Sequence, residues 1–141
     1  MSQNKLRLEE VRITLDSKTI LDSVNLTIND GEIVSLMGAS ASGKTSLIRS
    51  IAGFNNISSG KIELDGQIID DSNKQTDVVK RNIGVIFQDL ALFPHLTVRE
   101  NISFGLNNIN QAQKLKRVGE LELLLNIKDI RTEIGHMSKN L

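Results

Sequence analysis

Gly38-Ala39-Ser40-Ala41-Ser42-Gly43-Lys44-Thr45 places two glycines, a lysine and a hydroxyl at the spacing G-x-x-x-x-G-K-[ST]. Each residue type has a chemical reason. The glycines let the backbone turn sharply and bring amide N–H groups close to phosphate oxygens. A helix starting near Lys44 adds unpaired N–H donors and the positive end of its dipole. Lys44 can set its ammonium between terminal phosphates. The Thr45 hydroxyl can join phosphate oxygens and water around Mg²⁺. The chemistry implied is binding of a nucleoside triphosphate with Mg²⁺. The residues expected to hold it are Gly38, Ala39, Ser40, Ala41, Ser42, Gly43, Lys44, Thr45 and the adjoining Ser46.

Such a loop needs a strand before it and a helix after it. Ile33-Val34-Ser35-Leu36-Met37 is nearly continuous in apolar residues, the pattern of a strand covered on both faces. Leu47, Ile48, Ile51 and Ala52 share one helical face, and Gly53 is placed to stop that helix. Upstream, Leu6 and Leu8, then Val11, Ile13 and Leu15, alternate with polar residues, with a slip at Glu9-Glu10 that predicts a bulge. Asp16-Ser17-Lys18 reads as a turn, and Val24, Leu26 and Ile28 alternate again up to Asn29-Asp30-Gly31. The opening third is expected to be an antiparallel β element. Ile62 and Leu64 precede Asp65-Gly66, a hairpin signal. Residues 70–80 read as a surface loop, and Ile83 to Phe87 as a second buried strand. Thr97-Val98-Arg99-Glu100 matches a capping box that opens a helix. Leu115, Val118, Leu121 and Leu125 predict an amphipathic helix, and Ile130 to Leu141 shows no period.

Composition excludes several classes. The 141 residues are 39% hydrophobic and 24% charged, enough for a core. Lys+Arg and Asp+Glu number 17 each, so the formal charge is zero and no nucleic-acid partner is expected. With no cysteine there is no disulfide, thiolate zinc site or thiol nucleophile. His95 and His136 are too far apart for a paired-histidine metal motif. No apolar run reaches the roughly 18 residues of a membrane span, and the start resembles no signal peptide, so the expected compartment is the cytosol. No Asp is followed three positions later by Gly, and no Asn-Lys pair by Asp two positions on. GTPases use both patterns, which disfavours that class.

A longer match then narrows the field. The phosphate loop, the run Leu47-Ile48-Arg49-Ser50-Ile51-Ala52-Gly53-Phe54 with Ser59-Gly60-Lys61-Ile62, and the stretch from Val85 through Gln88, Phe93-Pro94-His95-Leu96 to Ile102 together resemble the ATP-binding subunit of ABC transporters, over about residues 6–130. The wording of residues 93–98 looks most like subunits importing ferric iron, polyamines or sugars. The resemblance implies an α/β fold, a P-loop NTPase core with an N-terminal antiparallel β element, truncated before the second half of the core. It divides the chain into residues 1–31 (β element), 32–90 (phosphate-loop core to Q-loop) and 91–141 (start of a helical subdomain). It implies ATP and Mg²⁺ as cofactors, with Lys44 and Gln88 catalytic, and Thr45 and Gln88 at the metal. It implies two partners, an integral membrane permease and a second ATP-binding subunit, with the chain peripheral on the cytoplasmic face of the membrane. Phe93 to Leu96 correspond to the surface that meets the permease.

Departures from the family carry their own expectations. Leu15 stands where the family often stacks an aromatic on adenine, and offers apolar contact without a π-face. The signature Leu-Ser-Gly-Gly-Gln is replaced by Met137-Ser138-Lys139-Asn140-Leu141. No Walker B carboxylates or switch histidine appear. The expectation is an ATPase by resemblance whose 141 residues alone turn over poorly, bind nucleotide weakly and expose apolar strand edges. A non-hydrolytic nucleotide-binding module and a phosphate-loop kinase of small molecules are the alternatives.

Overall fold

Alternating apolar residues make a sheet only when each strand finds a ladder partner, and tight turns supply the first ones. In the computed structural model, which describes residues 4–88, 92–106 and 109–125, β1 (Asn4–Leu15) and β2 (Lys18–Asn29) pair antiparallel. Asp16 and Ser17 between them take positive φ, 47° and 63°, as a type I′ turn requires. β3 (Ser59–Leu64) and β4 (Gln67–Asp70) reverse likewise through Asp65 and Gly66. The sheet order is β2-β1-β3-β4, antiparallel throughout.

Leu6 and Leu8 must share a face with Val11 and Ile13, three residues on rather than two. An extra residue has to be absorbed, and Glu10 absorbs it with φ 49°. Register shifts between Leu8 and Val11 against β2, and between Glu9 and Arg12 against β3, mark the expected bulge. All four aliphatics stay buried as a result. The Glu10 amide donates to Asn25 Oδ1 at 2.9 Å. Its carboxylate accepts from the Ser23 hydroxyl and the Asn25 side-chain amide, which hold it below the usual glutamate range. Across the bulge, Gly60 has φ 86°, and a Cβ there would stand 2.4 Å from the Glu10 carbonyl oxygen. Only glycine fits.

The core lies on the inner face of this sheet. Leu6, Leu8, Val11, Ile13, Ile62 and Ile69 meet Ile57 and Leu47 of α1 (Lys44–Ala52). Burial of each such side chain contributes roughly 1.5–3 kcal/mol. Helix α1 turns Leu47, Ser50 and Ala52 inward with Ile51 packed beside them, and this rotates Ile48 outward to 48% exposure, unlike the expected face. Gly53 ends the helix at φ 93° in a Schellman arrangement: the Phe54 N–H donates to Arg49 O at 2.8 Å and the Gly53 N–H to Ser50 O at 3.1 Å.

Two expected strands are corrected. Residues 33–37 and 83–87 belong to no sheet, and Ile33 and Ile86 are 99% and 98% exposed. Their apolar runs predicted burial on both faces, but no strand among the described residues lies beside them to form a ladder. The expected loop 70–80 is also more ordered than its polarity suggests. Asp70 closes β4 and is buried, and Val78–Lys80 form a 3₁₀ turn.

Two compact units divide between Val85 and Ile86. In the second, α2 (Val98–Phe104) starts from the expected capping box. The Glu100 N–H donates to Thr97 Oγ1 at 3.2 Å, and the Glu100 carboxylate accepts from the Thr97 N–H at 2.7 Å. A second capping box, Asn110 with Gln113, starts α3 (Gln111–Leu124). Arg99 and Glu122 join the two helices through contacts of 2.8 and 3.1 Å. Of the expected apolar face of α3 only Val118 is buried; Leu115 and Leu125 are exposed. Residues 126–141, including Ile130 and the segment Met137 to Leu141, lie outside the described residues.

Gly60→Ala is expected to destabilise the first unit by about 2 kcal/mol or more, because a backbone oxygen cannot step aside. Urea unfolding measures it, and a change under about 0.5 kcal/mol contradicts the bulge geometry. Thr97→Ala is expected to raise Glu100 only part of the way back to the ordinary glutamate range, because the residue-97 backbone N–H, the larger cause of its depression, remains while the Thr97 hydroxyl is lost. Because that carboxyl is depressed in the folded state, its contribution is present above the ordinary value and fades as pH falls through the folded one. Carboxyl NMR titration of both proteins checks this; identical Glu100 titrations contradict it.

Candidate functional site

The phosphate loop is held against β2. Gly43 is buried at φ 89° and caps α1; a Cβ would lie 2.8 Å from Leu21 Cδ2 and 3.1 Å from Ile20 Cγ2. The Ser42 N–H donates to Ala39 O at 3.3 Å, and Ala41 takes φ 63°, so the loop doubles back before the helix begins. The Leu47 N–H to Gly43 O bond, 2.9 Å, closes the first turn of α1. The N–H groups of Lys44, Thr45 and Ser46 precede that bond and have no intrahelical acceptor. No side chain caps them and no acidic residue stands in that turn. Both features keep the positive helix end open to an anion.

Lys44 arches back over the loop. Its ammonium donates to Gly38 O at 2.8 Å, Ala39 O at 2.5 Å and Ser42 Oγ at 3.3 Å. The ammonium is thus seated on the loop's own oxygens, and Lys44 is one wall of a cavity of about 270 Å³ lined by residues 41–46 and Ile20. Whole organic ligands occupy roughly 300–1,000 Å³, so this cavity suits a phosphate tail. On its apolar side, Leu21, Val24, Leu36 and Met37 line a second hollow of about 280 Å³ with Gly38.

The structure therefore gathers Ala41, Ser42, Gly43, Lys44, Thr45 and Ser46 around one space, with Gly38 and Ala39 supplying carbonyls to Lys44. Ser40 is exposed in the intervening turn. Leu15 sits at the end of β1, 37% exposed, and is not a wall of the cavity; Ile20 is. Gln88 lies exposed in the second unit. For Mg²⁺, Thr45 offers an exposed hydroxyl on the cavity wall that no side-chain hydrogen bond occupies among the described residues. Among the described residues no cluster of three carboxylate or imidazole groups exists to cage a metal. One hydroxyl beside a phosphate pocket fits an ion that takes most of its ligands from phosphate and water.

The motif signalled the loop but not its support. Ile20 and Leu21 follow a turn in a polar stretch, and nothing in their spacing marks them as the surface behind Gly43. Arg81, fully buried at the far end of α1, sits in a charged run that reads as solvated.

Comparison with known proteins agrees with this architecture. The chain is 42% identical over 126 residues to the spermidine/putrescine import ATP-binding protein PotA of Haemophilus ducreyi, covering 88% of this chain and 33% of that protein. It is 40% identical over 122 residues to the Fe(3+) ions import ATP-binding protein FbpC 2 of Pectobacterium atrosepticum, covering 86% and 35%. It thus spans about a third of the length of these relatives. Among solved structures, cbiO1 from Clostridium perfringens, part of the ABC transporter complex cbiONQ, superimposes with a TM-score of 0.75 at 28% identity, over 93% of this chain and 54% of that one. The ABC transporter family profile matches residues 21–140, and the chain belongs to that family.

Proposed function

We propose that the chain binds Mg-ATP at residues 38–46 and serves as part of an ATP-binding subunit that powers import across a membrane. One observation carries this most. Residues carrying three unpaired N–H groups, a lysine side chain and a free hydroxyl line a single cavity of tail size. Lys44 would exchange its carbonyl partners for phosphate oxygens, Thr45 would give Mg²⁺ one protein ligand, and Ile20, with Leu15 nearby in sequence, would supply apolar contact toward the base. Bound Mg²⁺ would neutralise phosphate charge.

Turnover needs more than a cradle. Hydrolysis requires a group that positions or deprotonates the attacking water. The cavity wall carries no carboxylate. Gln88 is proposed for the metal and water, by its place in the matched stretch. The 141 residues are therefore assigned nucleotide holding with slow turnover.

Partners follow from the relatives. Import ATP-binding proteins and a member of a transporter complex are what the chain is similar to. A membrane permease and a second ATP-binding subunit are the proposed partners, placing the chain at the cytoplasmic face. No helix of the described residues is long and apolar enough to cross a membrane. The surface offered to the permease is Phe93 to Leu96. Asn101 shapes it by accepting from the Phe93 N–H at 2.9 Å and donating to the carbonyls of Phe93, Leu96 and Thr97. The Phe93 ring also packs at a tilt against Phe104, with centroids 4.3 Å apart and planes 37° from parallel.

Lys44→Ala is expected to weaken Mg-ATP about 10- to 100-fold, since charge-assisted hydrogen bonds contribute roughly 1.5–3 kcal/mol. Isothermal titration measures this, and an unchanged affinity overturns the site. Phosphate release by the wild-type chain should stay near background. Consumption of ATP that depends on an added small-molecule acceptor would instead identify a kinase.

A further inference from the structure

The most deeply buried charge among the described residues lies at the opposite end of α1 from the phosphate loop. Arg81 is 2% exposed and Asp70 is 1% exposed. The guanidinium has five N–H donors, and each has an acceptor. Nε donates to Thr76 O at 2.9 Å. Nη1 donates to Ser50 O at 2.9 Å and Ile51 O at 2.8 Å, both carbonyls in the last turn of α1. Nη2 donates to Ile69 O and to Asp70 Oδ2, each at 3.3 Å. One planar group thus ties the end of the helix to β4 and to the segment that follows it.

Stability alone gives a weak reason for such a residue. Buried ion pairs seldom exceed well-packed apolar side chains in what they contribute. Geometry gives a stronger one. The contacts of Leu47 and Ile51 with the core of the sheet are apolar and non-directional. They let a helix slide or rotate by small amounts. The five hydrogen bonds of Arg81 are directional and fix the last turn. Helix α1 has nine residues, about 13 Å at 1.5 Å per residue, and moves as a rod. Fixing its end fixes its start. Gly53 has no room for a side chain because a Cβ would meet Arg81 Nε at 2.7 Å, so the guanidinium and the helix stop are fitted to each other.

We propose that Arg81 is a positioning residue for the phosphate loop. By holding the Ser50 and Ile51 carbonyls, it sets where the N–H groups of Lys44, Thr45 and Ser46 stand over the cavity. The affinity part rests on the nucleotide-binding function proposed above. Lysine cannot replace it, having three donors on a point charge where five acceptors surround a planar guanidinium.

The test uses the ¹⁵N-labelled full chain as wild type, Arg81→Lys and Gln75→Ala. Gln75 is exposed and joins the same anchor, its side-chain amide donating to Gly53 O at 3.4 Å and Asn55 O at 3.2 Å. Arg81→Lys is expected to shift the amide resonances of Gly43 and Lys44, at the other end of α1, and to weaken Mg-ATP at least fivefold with far-ultraviolet dichroism unchanged. A lower Tm with those amides and that affinity unchanged makes Arg81 merely structural and overturns the proposal. Should Arg81→Lys not fold, Gln75→Ala decides: the same amides are expected to shift, with about a twofold loss of affinity, and unmoved amides overturn the proposal. A wild-type chain that does not bind Mg-ATP refutes the nucleotide reading alone, and the amide shifts still decide the role of Arg81.

Discussion

Gly43 has no space for a methyl group, and most of the site follows from that. Its left-handed backbone lies against Ile20 and Leu21, so the loop is applied directly to β2. From that contact α1 starts, with Lys44, Thr45 and Ser46 lining the cavity beside Ile20. Any side chain would push the loop off β2 and turn the helix start with it. Lys44 then bends back onto the carbonyls of Gly38 and Ala39, because those oxygens are the nearest partners for a cation in a loop that has reversed direction. The cradle is a consequence of close approach between loop and sheet, not of the glycines' flexibility alone.

The rest of the first unit keeps that contact in place. The Glu10 bulge keeps Val11 and Ile13 in phase with Leu6 and Leu8, so the inner face stays apolar along the whole of β1 and can receive Leu47. At the other end of α1, Gly53 and Arg81 stop the helix and hold it. Apolar packing supplies most of the stabilisation, and hydrogen bonds supply the direction. Surface ion pairs such as Arg7–Glu9 and Glu9–Lys61 stand in solvent and contribute little beyond strand pairing.

Much of this was legible in the residues. The loop, the bulge at Glu9-Glu10, the turns at Asp16-Ser17 and Asp65-Gly66, the stop at Gly53 and the cap at Thr97 all rest on local chemistry, and local chemistry is what a sequence displays. The failures were non-local. Ile33 to Met37 and Ile83 to Phe87 carry the pattern of buried strands, yet burial depends on what lies alongside, and that is not written within the segment. Ile48 faces outward, against its spacing, because Ser50, a polar residue, takes the inward position that periodicity reserves for an apolar one. Ile20 and Arg81 were invisible for a related reason: a contact made across the fold leaves no spacing to read. The family resemblance names the loop and Gln88, while the supports around the loop are contacts that exist only in the folded chain.

A crystal structure of the chain with Mg²⁺ and a non-hydrolysable ATP analogue tests the central claim most directly. The β- and γ-phosphates are expected within hydrogen-bond distance of the Lys44, Thr45 and Ser46 amides, with the Lys44 ammonium moved from Gly38 O and Ala39 O onto phosphate oxygen. Phosphates bound elsewhere, or a lysine still seated on its own loop beside them, would contradict it.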